Sequence, residues 1–193
     1  MKNEMPLVSI IMNCYNGEKY LKEAINSVCE QTFTNWELVF WDNASTDSSA
    51  KIFKSFEDDR LKYYRSKHNV TLGQARAWAV DKCNGEYIGF LDVDDKWLPK
   101  KLEVQVNQMI LENAHLSYSA VQFMQNEKII SVSTPKYSSG YIFDKQLKRF
   151  EINMPSSMFK KEAIEVLNIN FDPKIIGSEE YDLFIQIAAK YNV

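Results

Sequence analysis

The chain has 193 residues, 45% of them hydrophobic and 25% charged, with 23 Lys and Arg against 26 Asp and Glu for a net charge of −3. That composition suits one globular domain with material for a real core. The interspersed charges exclude the basic footprint of a nucleic-acid binder, and no apolar run approaches the roughly 18–20 residues of a membrane span. The opening stretch MKNEMPLVSIIMNCYNG has a short apolar run and no small-residue cleavage site after it, so it is expected to be a first strand and not a signal peptide. Cys14, Cys29 and Cys83 are odd in number and lack CxxC spacing, the pattern of reduced thiols packed as small hydrophobes in a cytosolic protein.

In chain order, Leu7–Cys14 is a near-continuous apolar run, the mark of a strand covered on both faces. Glu18–Gln31 places Leu21, Ala24, Ile25, Val28 and Cys29 at helical spacing. Trp36–Trp41 predicts a second strand, leading into the turn and cap formers of DNASTD. A helix over Ser48–Glu57 and a strand over Leu61–Arg65 follow. Thr71–Cys83 predicts a third helix, with Leu72, Ala75, Ala79 and Cys83 on one face. Tyr87–Leu91 predicts the central strand. Strands alternating with helices of this length indicate βαβ units and a mostly parallel sheet, which binds ligands at the carboxyl ends of its strands.

Beyond Pro99 the pattern is less regular. A helix is predicted over Lys100–Asn113, a hairpin from His115–Met124 and Lys128–Ser133, a polar loop over Thr134–Gly140, a short helix over Asp144–Phe150, a short strand over Pro155–Phe159 and a last helix over Glu179–Tyr191. Polar clusters fall at strand exits: Tyr15-Asn16-Gly17 after the first, Asp42-Asn43 after the second, and Asp92, Asp94 and Asp95 after the central one. Three acids leaving a buried strand repel one another unless a cation or a set of donors offsets them. Hard divalent ions take carboxylate oxygens, commonly one or two together with substrate phosphates. A metal–diphosphate site is the expectation.

Three segments carry a family resemblance: VSIIMNCYNGEKYLKEAINSVCEQTFTNWELVFWDNASTD, GQARAWAVDKCNGEYIGFLDVDDKWLP and SEEYDLFIQIA. In order and spacing they resemble the family 2 glycosyltransferases, over nearly the whole chain. The resemblance implies a GT-A fold, a Rossmann-like α/β three-layer sandwich with a mostly parallel central sheet. It also implies inverting transfer of a sugar from a nucleotide diphosphate sugar, with UDP favoured, to a glycan or lipid-linked acceptor. Tyr15, with Asn16 beside it, would stack on the base; Asp42 would accept a hydrogen bond from it; Arg76 would meet the diphosphate or ribose. Asp92-Val93-Asp94 would be the DxD element, Asp92 facing the ribose, Asp94 ligating Mn²⁺ or Mg²⁺, and Asp95 supporting them. The acids of Ser178–Asp182 would supply the catalytic base, Glu180 by position, with Glu179 and Asp182 as alternatives. Glu180 departs from the family's more usual Asp, and Ala77-Trp78 from its usual Asn and small residue.

Residues 1–99 would then be the donor half of a single catalytic domain and 100–193 the acceptor half. Ser133–Asn153 would shape acceptor choice, with Tyr137–Tyr141 as a lid. The protein would be cytoplasmic, or peripheral at the inner face of the membrane if its acceptor is lipid-linked. Members of the family often continue past the last motif helix, so the natural chain past Val193 is left open. Two rival readings are a nucleotide-sugar-binding domain without turnover and an Asp-dependent phosphoryl-transfer enzyme, the latter disfavoured because its acidic loop usually follows the first strand.

Overall fold

A computed structural model describes residues 6–136 and 139–193. Its main sheet has six strands in the order β3-β2-β1-β4-β8-β5. β1 (Val8–Cys14) pairs in parallel with β2 (Trp36–Asp42) and β4 (Tyr87–Phe90), and β2 in parallel with β3 (Leu61–Arg65). β8 (Met158–Lys160) runs antiparallel to β4 on one side and to β5 (Leu116–Ser117) on the other, so β5 points the same way as β4.

The alternation of side chains along the strands separates two cores. Val8, Ile10, Met12, Leu38 and Phe40 pack against α1 (Leu21–Cys29), α2 (Ser49–Lys54) and α4 (Lys101–Leu111). Ile11, Val39, Ile88 and Phe90 face α3 (Leu72–Val80), α6 (Lys161–Leu167) and α7 (Glu179–Lys190). The chain is therefore the expected three-layer α/β/α sandwich. The side on which α1 and α2 lie is fixed by the sense of the first two crossovers. α3 crosses on the opposite face and delivers β4 to the far side of β1, so strand order reverses between β1 and β4. In open α/β sheets that crevice is where ligands bind.

Most predicted elements stand with shorter ends, and several readings need correction. The long strand predicted over His115–Met124 is two elements. Leu116–Ser117 joins the main sheet, whereas β6 (Val121–Gln125) forms a separate two-stranded hairpin with β7 (Lys128–Ser133). The strand predicted at Pro155–Phe159 begins with a 3₁₀ turn at Met154–Ser156 and becomes strand only from Met158. Helix α6 lies in a stretch given no element from sequence; it is seven residues long and packs Ala163, Ile164 and the partly buried Leu167 on the core. α5 (Phe143–Lys148) starts one residue early. Leu72 is 45% exposed and leaves the face shared by Ala75, Ala79 and Cys83. Of the lid segment Tyr137–Tyr141, Tyr137 and Ser138 lie outside the described residues; Gly140, at φ 97°, exchanges two backbone hydrogen bonds with Val193.

The end of the sheet away from the strand exits is closed by a buried polar knot. Glu37 accepts hydrogen bonds from the Ser9 hydroxyl at 2.6 Å and the Asn84 backbone N–H at 2.7 Å, while Gly85 N–H donates to Ser9 Oγ at 2.8 Å. A Cβ on Gly85 would lie 2.5 Å from Ser9 N and 2.8 Å from the Leu7 carbonyl oxygen, backbone atoms that cannot swing aside. Gly85→Ala should therefore lower stability by about 1–3 kcal/mol, as overpacking does, with the midpoint of urea denaturation as the measurement. An unchanged midpoint would mean that β1 and β4 are not registered as described.

Candidate active site

The loops after β1 and β2 are laced together before any ligand is considered. Asn16, at φ 56°, donates its backbone N–H to Ser45 Oγ, and its side-chain oxygen accepts from Thr46 N–H at 2.8 Å. Gly17 N–H donates to Ser49 Oγ, Glu18 N–H to Asp47, and Ser48 N–H to Glu18. Asn43 exchanges two hydrogen bonds with the Val70 backbone through its side-chain amide. A Cβ on Gly17 would sit 3.0 Å from both Cys14 Sγ and Val93 Cγ2, so the first loop rests against the Asp92–Asp95 turn. Tyr15 stands out of this frame, 54% exposed, as an open aromatic face at the crevice.

Asp42 is fully buried. Its Oδ1 accepts from Ser45 N–H at 2.7 Å, and its Oδ2 from the Tyr63 hydroxyl at 2.6 Å and from Arg65 Nη1 at 2.9 Å. Three donors leave one of the carboxylate's acceptor positions unused. Tyr63 and Arg65 had not been singled out from sequence. Their signal was an i, i+2 polar pair on one face of the strand LKYYR, beside the exit of β2.

After β4 the chain turns sharply. Asp95 N–H donates to the Asp92 carbonyl oxygen at 3.1 Å, and this turn gathers the three carboxylates. Asp94 is exposed, whereas Asp92 and Asp95 are partly buried. Burial, then the charges of Asp92 and Asp94, push the Asp95 carboxyl up to about 6. Asp92 keeps 39% of its side-chain surface open but is crowded by protein. Burial raises its pKa, the Arg76 guanidinium pulls it back, and Asp94, Glu180 and Glu179 add to the rise.

Arg76 connects this turn to the last helix. It is 5% exposed. Its Nη1 lies 2.9 Å from Glu179 Oε1 and 3.6 Å from Glu180 Oε2, and its Nη2 lies 3.7 Å from Asp92 Oδ1. The resemblance implied a phosphate or ribose contact for Arg76; the structure aims its guanidinium at acids from two motifs, Asp92 after β4 and Glu179 and Glu180 at the start of α7. Close packing makes this reach possible. A Cβ on Gly73 would lie 3.2 Å from the Asp172 carbonyl oxygen and 3.7 Å from Glu179 Cβ, so α3 packs directly against the segment that leads into α7. Glu179 is 4% exposed and held, whereas Glu180 keeps 30% of its side chain open. Asp182 faces back into its own helix, accepting from Gln186 at 3.1 Å. Beside the cluster, an open groove of about 590 Å³ is lined by His68, Asn69, Val70, Thr71, Gln74 and Pro173.

Among the described residues no three metal-ligating side chains converge as a ready-made ion cage. The carboxylates at the turn, with Asp94 exposed, are of the kind that fits a hard cation sharing its shell with phosphates. The Asp92 and Asp95 carboxyls are raised first by burial and then by neighbouring acids. The three cysteines are free; burial raises the thiols of Cys14 and Cys29 and pushes Cys83 up to about 12, which leaves none of them a nucleophile.

Two measurements test this electrostatic description. Arg76→Ala leaves a buried glutamate unpaired and should cost about 3–5 kcal/mol in urea denaturation, with most of the loss recovered in Arg76→Met/Glu179→Leu; a fully stable single variant would remove the bridge from consideration. Asp95 is protonated more readily in the folded chain than in the unfolded one, so its contribution to stability is full below about pH 4 and lost as pH rises through about 6. Asp95→Asn should therefore stabilise the protein by about 1–2 kcal/mol at pH 7.5, after discounting for partial exposure, and the advantage should vanish at pH 4.

The family model for glycosyl transferase family 2 matches residues 9–167. The chain is 30% identical over 187 residues to an Escherichia coli UDP-Glc:alpha-D-GlcNAc-diphosphoundecaprenol beta-1,3-glucosyltransferase, covering 97% of this chain and 72% of that one. Among solved structures it superposes on Staphylococcus aureus TarS with a TM-score of 0.80 at 22% identity, covering 96% of this chain and 56% of that one; TarS has also been solved with UDP and with UDP-GlcNAc. A mannosyltransferase from Pyrobaculum calidifontis, in complex with GDP-Man and Mn²⁺, gives a TM-score of 0.71 at 18% identity over 95% of this chain and 52% of that one. The chain thus spans little more than half the length of these solved relatives. The fold is GT-A, and the chain belongs to glycosyl transferase family 2.

Proposed function

We propose that this chain is the catalytic part of an inverting glycosyltransferase that moves a sugar, glucose or an N-acetylhexosamine, from a UDP-sugar to a lipid-linked glycan acceptor. The observation that carries the reading is Arg76, which joins the acidic turn after β4 to the acids opening α7. One guanidinium thereby sets a donor-side carboxylate and a base-side carboxylate at a common crevice, at the switch point of the sheet.

In this reading the base stacks on Tyr15, an aromatic contact worth ~1–3 kcal/mol, with Asn16 holding that loop against Thr46. An N–H of the base takes the remaining acceptor position of Asp42 once Arg65, 45% exposed on its side chain, swings aside. Asp92 faces the ribose. Asp94, the exposed acid, would hold Mn²⁺ or Mg²⁺ together with the diphosphate, and Asp95 supports it. The bound ion supplies charge neutralisation for the departing nucleoside diphosphate. Arg76 acts as a positioning residue and also lends positive charge towards the phosphates.

Glu180 is the base. Its carboxylate accepts the proton of the acceptor hydroxyl as that oxygen attacks the anomeric carbon; the new C–O bond forms on the face opposite the breaking bond to the diphosphate, and configuration inverts. Glu179, neutralised by Arg76, fixes the start of α7 and hence the direction of its neighbour. Residues 1–99 serve the donor and 100–193 the acceptor. A relative that uses a diphosphoundecaprenol-linked acceptor supports a lipid-linked substrate here, and hence work at a membrane surface by a protein in which, among the described residues, no helix is long and apolar enough to cross one.

UDP should raise the melting temperature several-fold more with Mn²⁺ than without it, by the linkage RT ln(1 + [L]/Kd), and Asp94→Ala should abolish the metal-dependent part. Glu180→Gln should keep that shift while release of UDP from the UDP-sugar in the presence of acceptor falls by about 10²–10⁴-fold. Undiminished turnover in Glu180→Gln would reassign the base, and a metal-independent shift would refute the role of the acidic turn.

A further inference from the structure

Arg65 has hydrogen-bonding capacity that the fold does not use. In the parallel pairing of β2 with β3 it stands directly opposite Asp42, and Tyr63 lies two residues earlier on the same face. Both donate to Asp42 Oδ2, the Tyr63 hydroxyl at 2.6 Å and Arg65 Nη1 at 2.9 Å, while Arg65 Nη2 donates to the Ser45 carbonyl oxygen at 2.9 Å. A long contact also joins Nη1 to the Tyr63 hydroxyl at 3.5 Å. A guanidinium carries five N–H groups, so these three hydrogen bonds leave Nε–H and one N–H of Nη2 without a partner among the described residues. The Arg65 side chain is 45% exposed, above a carboxylate with no exposure at all.

Position puts this capacity at the crevice. Ser45, whose carbonyl holds Arg65, accepts with its hydroxyl the backbone N–H of Asn16, the residue after Tyr15. Arg65 is also the last residue of β3, so it stands on the same edge of the sheet as the exits of β1 and β2. A ligand arriving there meets an acceptor, Asp42, beside a donor, Arg65. Its own edge must then offer a donor N–H beside a carbonyl oxygen. Uracil does so with N3–H and its flanking oxygens, and guanine with N1–H and O6. Cytosine and adenine present the reverse, an unprotonated ring nitrogen beside an amino group. They would set a lone pair against the carboxylate and N–H against the guanidinium, leaving buried polar groups unpaired, which is what makes such discrimination strong.

We infer that Arg65 is a specificity-determining residue for the nucleotide. It turns from Asp42 to donate to the base carbonyl beside the N–H that Asp42 accepts, so the pair admits uracil or guanine and rejects cytosine and adenine. This rests on the nucleotide-sugar reading above and adds how the base is chosen. Tyr63 and the Ser45 N–H stay on Asp42 when Arg65 turns, so the carboxylate remains hydrogen-bonded throughout. The planar fork of Arg suits this task, since one arm keeps Ser45 while another reaches the base; the point charge of Lys has no such fork.

The test is calorimetric titration of the intact chain with UDP, GDP, CDP and ADP in the presence of Mn²⁺. The parent should bind UDP and GDP at least about tenfold more tightly than CDP and ADP. Arg65→Met should narrow that gap by about tenfold. Tyr63→Phe, which takes a hydrogen bond from Asp42 and none from the base, should leave the gap intact. Arg65→Met also strips a buried carboxylate of its charged partner, so a second measurement uses the parent alone, which keeps the test decisive if that variant fails to fold. UDP analogues with sulfur, a weak acceptor, in place of O4 or of O2 are titrated into it. One of the two should bind several-fold more weakly than UDP and the other as UDP does. Equal binding of all four nucleotides, a gap that survives Arg65→Met, or two sulfur analogues that both bind as UDP does would overturn the role of Arg65 and leave the donor site standing. A parent that binds none of the four nucleotides would sink the transferase reading, and the role of Arg65 with it.

Discussion

The guanidinium of Arg76 stands among carboxylates that would otherwise repel one another across the crevice. Asp92 approaches from the turn after β4, and Glu179 and Glu180 from the start of α7, while the sheet and the loop around Phe171, whose ring lies 5.8 Å from the guanidinium, exclude most water. In such surroundings a pair survives only with close geometry, because removing charges from water costs several kcal/mol apiece. Only the Glu179 contact is short. Asp92 and Glu180 sit farther off, at 3.7 and 3.6 Å, and keep 39% and 30% of their side chains open.

The support is stiff because its loops bond to one another and not to solvent. Asn16 with Thr46, Asn43 with Val70, and Glu18 with Ser48 are polar side chains closing backbone N–H groups at strand exits, where no ladder can use them. Trp97 plays a similar part on the other flank. Gly89 leaves room for its ring, with a would-be Cβ 3.3 Å from it, and its indole N–H donates to the Pro155 carbonyl at 2.8 Å. The acidic turn therefore lies between the Gly17 loop, which packs on Val93, and the Trp97 ring, which is anchored at Gly89 and Pro155.

The α/β alternation was legible in the sequence because strands buried on both faces are apolar without interruption, and the amphipathic helices α1, α4 and α7 repeat at helical spacing. The carboxyl-edge clustering of Tyr15, Asp42 and Asp92–Asp95 was legible for the same reason: polar residues stand out after such runs. Less regular parts were not. The seven residues of α6 make fewer than two full turns, too short a run to show a helical repeat clearly, and a two-residue strand such as Leu116–Ser117 has no periodicity to detect. The partners of Asp42 and Arg76 were hidden for another reason. Tyr63 and Arg65 look like ordinary surface residues in one dimension, and Glu179, legible as a candidate base, shows itself as the partner of Arg76 only when α7 is folded against α3.

The two halves of the molecule also differ in how tightly their sequences bind them to one structure. Around the donor side nearly every polar group at a strand exit has a protein partner, so its shape is set before a ligand arrives and little ordering free energy is spent on binding. The segment around α5 is fastened chiefly through the core and its own ends: Ile142 and Ile152 are buried in the main cluster, Gln146 donates to the Tyr118 hydroxyl and accepts from Glu151 N–H, Phe150 meets Tyr181, and Gly140 pairs with Val193. A nucleotide is the same molecule for many enzymes and rewards a rigid cradle. The ring contact of Phe150 with Tyr181 ties the segment after α5 to the helix that opens with Glu179 and Glu180, so the second half is held to the same crevice through α7.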